Sequence, residues 1–347
     1  MGTVLTVILY GIIMILVFGV LIFIHEFGHF FTARRCGVAI KEFAVGMGPT
    51  LFSWKSKKYD TRYALRAFPI GGFVSMVGED EESDDENAFC KKSVPKRMII
   101  VVAGAVMNLL LGFLLMLAVV LFQGQIGSTT VAGFSDSAVS NVQLQVGDEI
   151  LEVDGTSVHS GNELVYEISN KGYKPIDLLV ERDGVEKTLK DVKFNTTTSE
   201  GIEFGVVDFM VYEQEKTFFS VIEQTFFRSV STVKMVYDSL IGLVTGRFGV
   251  EAVSGPIGVA QVVGDAAQNS YLSFIYIVSV LSINLGVVNL LPFPALDGGR
   301  FVFLAIEGIR RKPLNRNVEA YINFIGIIIL FAFMIFISFK DVIKLIL

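Results

Sequence analysis

Cysteine is nearly absent from this sequence. Its two cysteines, Cys36 and Cys90, share no CxxC spacing, so neither a thiolate zinc site nor a disulfide framework is available and both read as free thiols on a reducing side. Charge is thin as well, at 18% of 347 residues, against 52% hydrophobic residues and a mean hydropathy of +0.58. That balance excludes an ordinary soluble domain and marks a membrane protein. Basic residues are outnumbered, 29 Lys and Arg against 35 Asp and Glu, for a net charge of −6. With no arginine-rich stripe carrying interleaved aromatics, nucleic-acid binding is excluded. No Lys or Arg precedes the first apolar run and no small-residue cleavage site follows it, so that run reads as a retained helix and not a signal peptide.

Four apolar segments are present: Thr3 to Ile24, and roughly Met98 to Phe122, Tyr271 to Leu291 and Val318 to Phe339. Each is near the ~20 residues that cross a bilayer. Basic residues cluster between spans one and two (Arg34, Arg35, Lys41, Lys55 and others to Arg97) and between spans three and four (Arg300, Arg310, Arg311, Lys312, Arg316). The positive-inside rule makes both loops cytoplasmic and both termini extracytoplasmic. The acidic run EDEESDDEN at 79–87 reads as a solvated loop tip.

The segment between spans two and three is then exported. VGDEILEVDGTSV (146–158) and IDLLVERDGVEKTLKDVKF (176–194) alternate apolar and polar residues around Asp154-Gly155 and Asp183-Gly184, the dipeptides of tight hairpin turns. Between them SGNELVYEISNKG reads as a short amphipathic helix. This order, and GDEILEVDG above all, resembles a PDZ domain over 123–200, a fold that binds extended peptide tails by strand addition. Residues 201–270 read as a connector, with 217–247 a helix lying on the membrane surface or packed on the exported module.

Within the first span stand His25, Glu26 and His29. Histidines four apart share one helix face and can hold one metal, and Glu26 completes the HExxH pattern, in which the glutamate is general base to a metal-activated water. Ionisable groups at membrane depth cost at least ~2.5 to 3.5 kcal/mol each unless paired or coordinated, so function outweighs a merely solvated helix face. A catalytic zinc takes three protein ligands. The third histidine, His159, belongs to the exported module and reads as a surface residue, which leaves the carboxylates Glu42, Asp297 and Glu307. Glu42 lies beyond Arg34 and Arg35, and Glu307 has Arg310 and Arg311 as ordinary ion-pair partners. Asp297 occurs in NLLPFPALDGGRF, where Pro292 and Pro294 break span three near its cytoplasmic end and Gly298-Gly299 permits a tight turn. Broken backbone at that depth lines a cavity or is buried in protein, so Asp297 is the favoured third ligand.

HExxH in span one, a PDZ-like module between spans two and three, and NLGVVNLLPFPALDGG in span three together resemble the site-2 protease family of intramembrane zinc metalloproteases, in the bacterial branch that includes the regulator of sigma E protease. The resemblance implies a polytopic α-helical membrane protein with a membrane-associated β-hairpin at about 62–78, carried by ALRAFPIGGFVSM (64–76), and an exported α+β domain. It implies one Zn2+ on His25, His29 and Asp297, Glu26 as the base, and Asn284 and Asn289 holding the substrate backbone. SGPIGV (254–259) matches a family motif before span three. Implied substrates are single-pass membrane proteins, anti-sigma factors already trimmed outside the membrane and remnant signal peptides. Best-known Gram-negative members carry two tandem PDZ domains, whereas this sequence has room for one. A non-catalytic PDZ scaffold would require loss of Glu26 or a ligand, and both stand. A transporter would show a repeat between halves, and none is found.

Overall fold

The computed structural model describes residues 2–79, 81–199 and 201–346, so Asp80 of the acidic run lies outside the described residues. In chain order the elements are α1 (Gly2–Arg35), β1 (Ile40–Lys55), β2 (Arg62–Met76), α2 (Val94–Phe122), β3 (Ile126–Phe134), β4 (Glu149–Val153), β5 (Thr156–Ser157), α3 (Gly161–Lys171), β6 (Ile176–Arg182), β7 (Val185–Val192), β8 (Asn195–Ser199), β9 (Ile202–Val206), β10 (Phe209–Gln214), α4 (Phe218–Thr245), α5 (Pro256–Asn269), α6 (Tyr271–Asn289), α7 (Asp297–Arg310) and α8 (Arg316–Ile346). They form two compact units, one of residues 1–114 with 254–347, the other of 115–253.

In the first unit α1, α2, α6 and α8 are long and apolar enough to cross a membrane, the four spans expected. Their outward residues are large and apolar: Ile12, Leu16 and Val20 on α1, Leu110 and Leu114 on α2, Phe324, Ile328 and Phe331 on α8. Such faces suit lipid tails, against which hydrophobic burial gives helices no reason to associate, so close packing must hold them. Small residues supply it. A Cβ on Gly28 of α1 would stand 2.4 Å from the Ala103 carbonyl oxygen of α2, and one on Gly112 of α2 would stand 2.4 Å from Ile283 of α6. Hydroxyls then fasten α6 to α2, Ser279 donating to the Gly112 carbonyl and Ser282 to the Asn108 carbonyl, both at 2.7 Å.

The hairpin is larger than the sequence suggests. The segment expected at 62–78 is only its second strand, and β1 is the first. Residues 40–45 register against 72–76, residues 50–55 against 62–66, and 43–45 also neighbour 63–65, leaving 72–76 paired on one side. Gly46 and Gly48 of β1 take φ of 86° and 84°, and bends at these points interrupt the alternation that would have marked β1 as one strand; Gly71, at 85°, bends β2. At its inner end Ile40, Phe43 and Met76 are buried with Phe30, Ile100 and Leu304, while Met47, Leu51, Phe52, Trp54 and Phe68 are exposed.

In the second unit the sheet runs β10-β3-β4-β6-β7, with β5 beside β4, over a core of Leu144, Ile150, Val153, Leu164, Ile168, Ile176, Leu178 and Val180. Both Asp-Gly pairs form the expected turns, Asp154 and Gly155 with φ of 49° and 73°, Asp183 and Gly184 with 54° and 78°. Ser160 caps α3, its hydroxyl accepting the Glu163 N–H at 3.2 Å, while the Glu163 carboxylate accepts the His159 N–H at 2.7 Å. Residues 202–214, read from sequence as connector, are strands β9 and β10, and β10 completes the sheet against β3. They were hidden because no Asp-Gly turn dipeptide marks them, as it marks β4 and β6. Helix α4 buries Ser220, Gln224, Thr225, Ser229 and Thr232 along with Val221 and Val236, and exposes Phe218, Phe219, Ile222, Phe226, Val230, Ile241 and Val244. Its apolar stripe therefore faces outward.

Candidate metal centre

The polar residues of the first span lie inside α1, which continues past them to Arg35. One helical turn apart, His25 and His29 bring their Nε2 atoms within 3.2 Å of each other. Asp297 reaches the same point from α7, its Oδ2 lying 3.2 Å from His25 Nε2 and 3.3 Å from His29 Nε2. The three form the one metal-competent cluster found among the described residues.

Three donor atoms this close need something between them. His29 Nδ1 lies 2.8 Å from the Ile100 carbonyl oxygen, which can only accept, so the ring proton sits there and Nε2 presents a lone pair. Asp297 Oδ2 is buried and accepts no hydrogen bond, although both Nε2 atoms are in ion-pair range. A bare His29 Nε2 lone pair facing a carboxylate oxygen across 3.3 Å is the arrangement of ligands around a cation. Tetrahedral zinc with N and O ligands at about 2.0–2.1 Å has ligand–ligand edges of about 3.3–3.4 Å, close to those observed. Room for the ion is kept by Gly104 of α2, where a Cβ would fall 2.3 Å from His29 Nε2 and 2.8 Å from His25 Nε2. The residues fit zinc.

Asp297 owes its position to the break after α6. The chain turns through 290–296, with Ala295 at φ 73°, a left-handed conformation costing an L-residue roughly 1–2 kcal/mol. Asn323 of α8 offsets part of that, its Oδ1 accepting the Ala295 N–H at 3.1 Å. Only a residue without Cβ fits after Asp297, since a Cβ on Gly298 would lie 2.2 Å from the Leu291 carbonyl oxygen. Asp297 then opens α7, where the helix macrodipole favours an anion. Asn323→Ala is expected to lower the unfolding free energy by about 1 kcal/mol and to loosen metal binding as the loop relaxes. Thermal unfolding of zinc-loaded and zinc-stripped protein checks this, the larger shift appearing in the loaded form.

Glu26 faces a cavity of about 210 Å³ that it shares with His25, His29, Asp297, Phe73, Val74 and Arg300. Its carboxylate accepts a hydrogen bond from the Val74 backbone N–H, and a Cβ on Gly72 would lie 3.5 Å from its Cγ. The one-sided strand 72–76 thus runs beside Glu26. Arg300 pairs with Glu79 at the cavity's edge.

The structure separates the other sequence candidates. Glu42 accepts from Arg66 at 2.8 Å, and Glu307 is held by Arg97 at 2.5 and 3.0 Å, so both rival carboxylates are occupied by arginines. His159, in the second unit, stacks on Phe227 with centroids 3.9 Å apart. Asn284 is exposed on α6 and Asn289 donates to the Leu285 carbonyl at 3.0 Å; neither lines the metal cavity. Gly104, Asn108 and Asn323 were not singled out from sequence. Gly104 and Asn108, one turn apart in an apolar span, carried a signal: a polar residue at depth beside a glycine marks a tight, functional crossing.

The model of peptidase family M50 matches residues 13–333. The chain belongs to that family. A provisionally named zinc metalloprotease of Clostridium acetobutylicum is 37% identical over 335 residues, 96% of this chain and 97% of that one. The zinc metalloprotease RasP of Shouchella clausii is 30% identical over 95% of this chain and 98% of its own, and the regulator of sigma-W protease RasP of Bacillus subtilis is 29% identical over 94% and 97%. With four apolar helices and these relatives, the protein is an intramembrane zinc metalloprotease of the site-2 protease family.

Proposed function

We propose that His25, His29 and Asp297 hold the zinc of this protease and that Glu26 is its general base. The observation carrying this is the convergence of His25 Nε2, His29 Nε2 and Asp297 Oδ2 on one point, beside the Glu26 carboxylate and the outer edge of strand 72–76. When bound, zinc supplies Lewis acidity and lowers the pKa of water to about 7. Glu26 takes the proton released from the attacking water and returns it to the leaving amine. A scissile bond in a spanning helix is first wrapped in its own turn, and unwinding it in lipid would leave backbone groups unpaired. The outer side of strand 72–76, where Glu26 and Glu79 now accept the Val74 and Met76 N–H groups, would offer them partners once those side chains give way, so the opened segment adds to β2 beside Glu26. Asn284, exposed, and Asn289, bonded only to its own helix, hold the substrate backbone beyond the cavity.

The substrates are single-pass membrane proteins such as anti-sigma factors or remnant signal peptides. That the Bacillus subtilis relative is named for regulation of sigma-W agrees with the first. The basic loops face the cytoplasm, and both termini and the second unit are exported. The second unit's five-strand path with α3 supports a PDZ domain that admits peptide tails, and the outward stripe of α4 supports a helix resting on the bilayer surface.

The test is metal stoichiometry with cleavage. Purified Asp297→Ala protein is expected to fall from one zinc per chain toward none and to lose cleavage of a single-pass substrate in proteoliposomes, while Glu42→Ala and Glu307→Ala keep the metal. Full zinc in Asp297→Ala would assign the third ligand elsewhere.

A further inference from the structure

The second nitrogen of each metal-facing histidine must be held if the first is to present its lone pair. For His29 the Ile100 carbonyl does this. For His25 the group in reach is the side chain of Asn108, wholly buried on α2 one turn beyond Gly104, with Nδ2 placed 3.3 Å from His25 Nδ1. Its Oδ1 is buried with no partner. An amide N–H can serve only a deprotonated Nδ1, and His25 would then carry its proton on Nε2, aimed at Asp297 and at the metal position. A carboxamide turned by 180° has the same shape and sets Oδ1 against Nδ1–H. The turn exchanges one orphaned amide atom for another, but it matches donor to acceptor and leaves His25 Nε2 unprotonated, as in His29. The bound cation strengthens that bond by polarising the ring.

We propose that Asn108 is a positioning residue of the metal centre, its Oδ1 accepting the His25 Nδ1 proton and thereby fixing both the tautomer and the ring orientation. The backbone is suited to the task. The Asn108 carbonyl accepts the Ser282 hydroxyl at 2.7 Å, which pins α2 to α6 at that residue and keeps the amide from sliding along the span. This inference rests on the ligand assignment above.

The experiment measures zinc affinity of the full-length protein in detergent by competition with a chromophoric chelator, with zinc as the probe. Asn108→Leu keeps the volume and removes the acceptor; Asn108→Asp keeps an acceptor. Leu is expected to weaken zinc about 10–100-fold and Asp to bind within threefold of wild type or tighter, with unfolding of the zinc-free forms alike. In 15N-histidine spectra of zinc-free protein, Leu should move His25 toward the Nε2-protonated tautomer, which a packing role would not do. Wild-type affinity in Asn108→Leu, or equal losses in Leu and Asp, would overturn the proposal. If Asn108→Leu does not fold, Asn108→Asp decides alone, a loss beyond tenfold counting against it. Asp297→Ala is measured in parallel. Zinc retained there defeats the ligand assignment, whereas zinc lost there and kept by Asn108→Leu defeats only the role of Asn108.

Discussion

Glu26→Gln is expected to keep one zinc per chain and the wild-type unfolding temperature while cleavage of a single-pass substrate falls by about 10²–10⁴-fold. Glutamine has the shape of glutamate, and its amide oxygen can still accept the Val74 N–H that fixes the carboxylate against strand 72–76. Glu26 is not in the metal-facing cluster, so the ligand set is untouched. What disappears is a group able to take a proton from water and hand it on. Purified variants in proteoliposomes, assayed for zinc by atomic absorption and for cleavage by mass spectrometry of the products, separate the two properties. Cleavage within tenfold of wild type would remove Glu26 from the chemistry; loss of zinc would make it a structural neighbour of the site.

Much of this centre was legible in the sequence because its signals are energetic anomalies. Two histidines and a glutamate inside an apolar run, and an aspartate between two prolines and two glycines, stand out because lipid tolerates neither stray charge nor open backbone. The four spans were legible for the same reason. Other features follow from which surfaces meet. Helix α7 opens with Asp297 itself, so the sequence around it reads as a turn, and a fourteen-residue helix among spans three and four is too short to announce itself. Strand β1 was missed because its alternation breaks at glycines that let it bend. Asn323, 26 positions after Asp297, matters only through one hydrogen bond to Ala295 that no local pattern encodes. In α4 an amphipathic pattern was visible, but not that Val221 and Val236 would be buried among Ser220, Gln224, Thr225, Ser229 and Thr232.

Gly104→Ala is expected to be as damaging as removal of a ligand, although it deletes no functional group. The added methyl carbon would stand 2.3 Å from His29 Nε2 and 2.8 Å from both His25 Nε2 and His29 Cε1, where real contacts keep beyond 3 Å. Neither ring can simply step aside. His29 is tied through Nδ1 to Ile100, four residues before Gly104 on the same helix, so moving the ring breaks that bond. The methyl group therefore occupies the space the two Nε2 lone pairs address, and zinc affinity should fall by at least 10²-fold, more than the 10–100-fold that typifies loss of an outer hydrogen bond. Helix propensity works the other way, since alanine favours a helix interior over glycine by about 1 kcal/mol. The zinc-free variant should thus unfold no more easily than zinc-free wild type, even as zinc binding and cleavage collapse together. Calorimetric zinc titration beside thermal unfolding distinguishes this from a folding defect: normal zinc binding by Gly104→Ala would mean the rings and the metal do not occupy the pocket that the glycine leaves open.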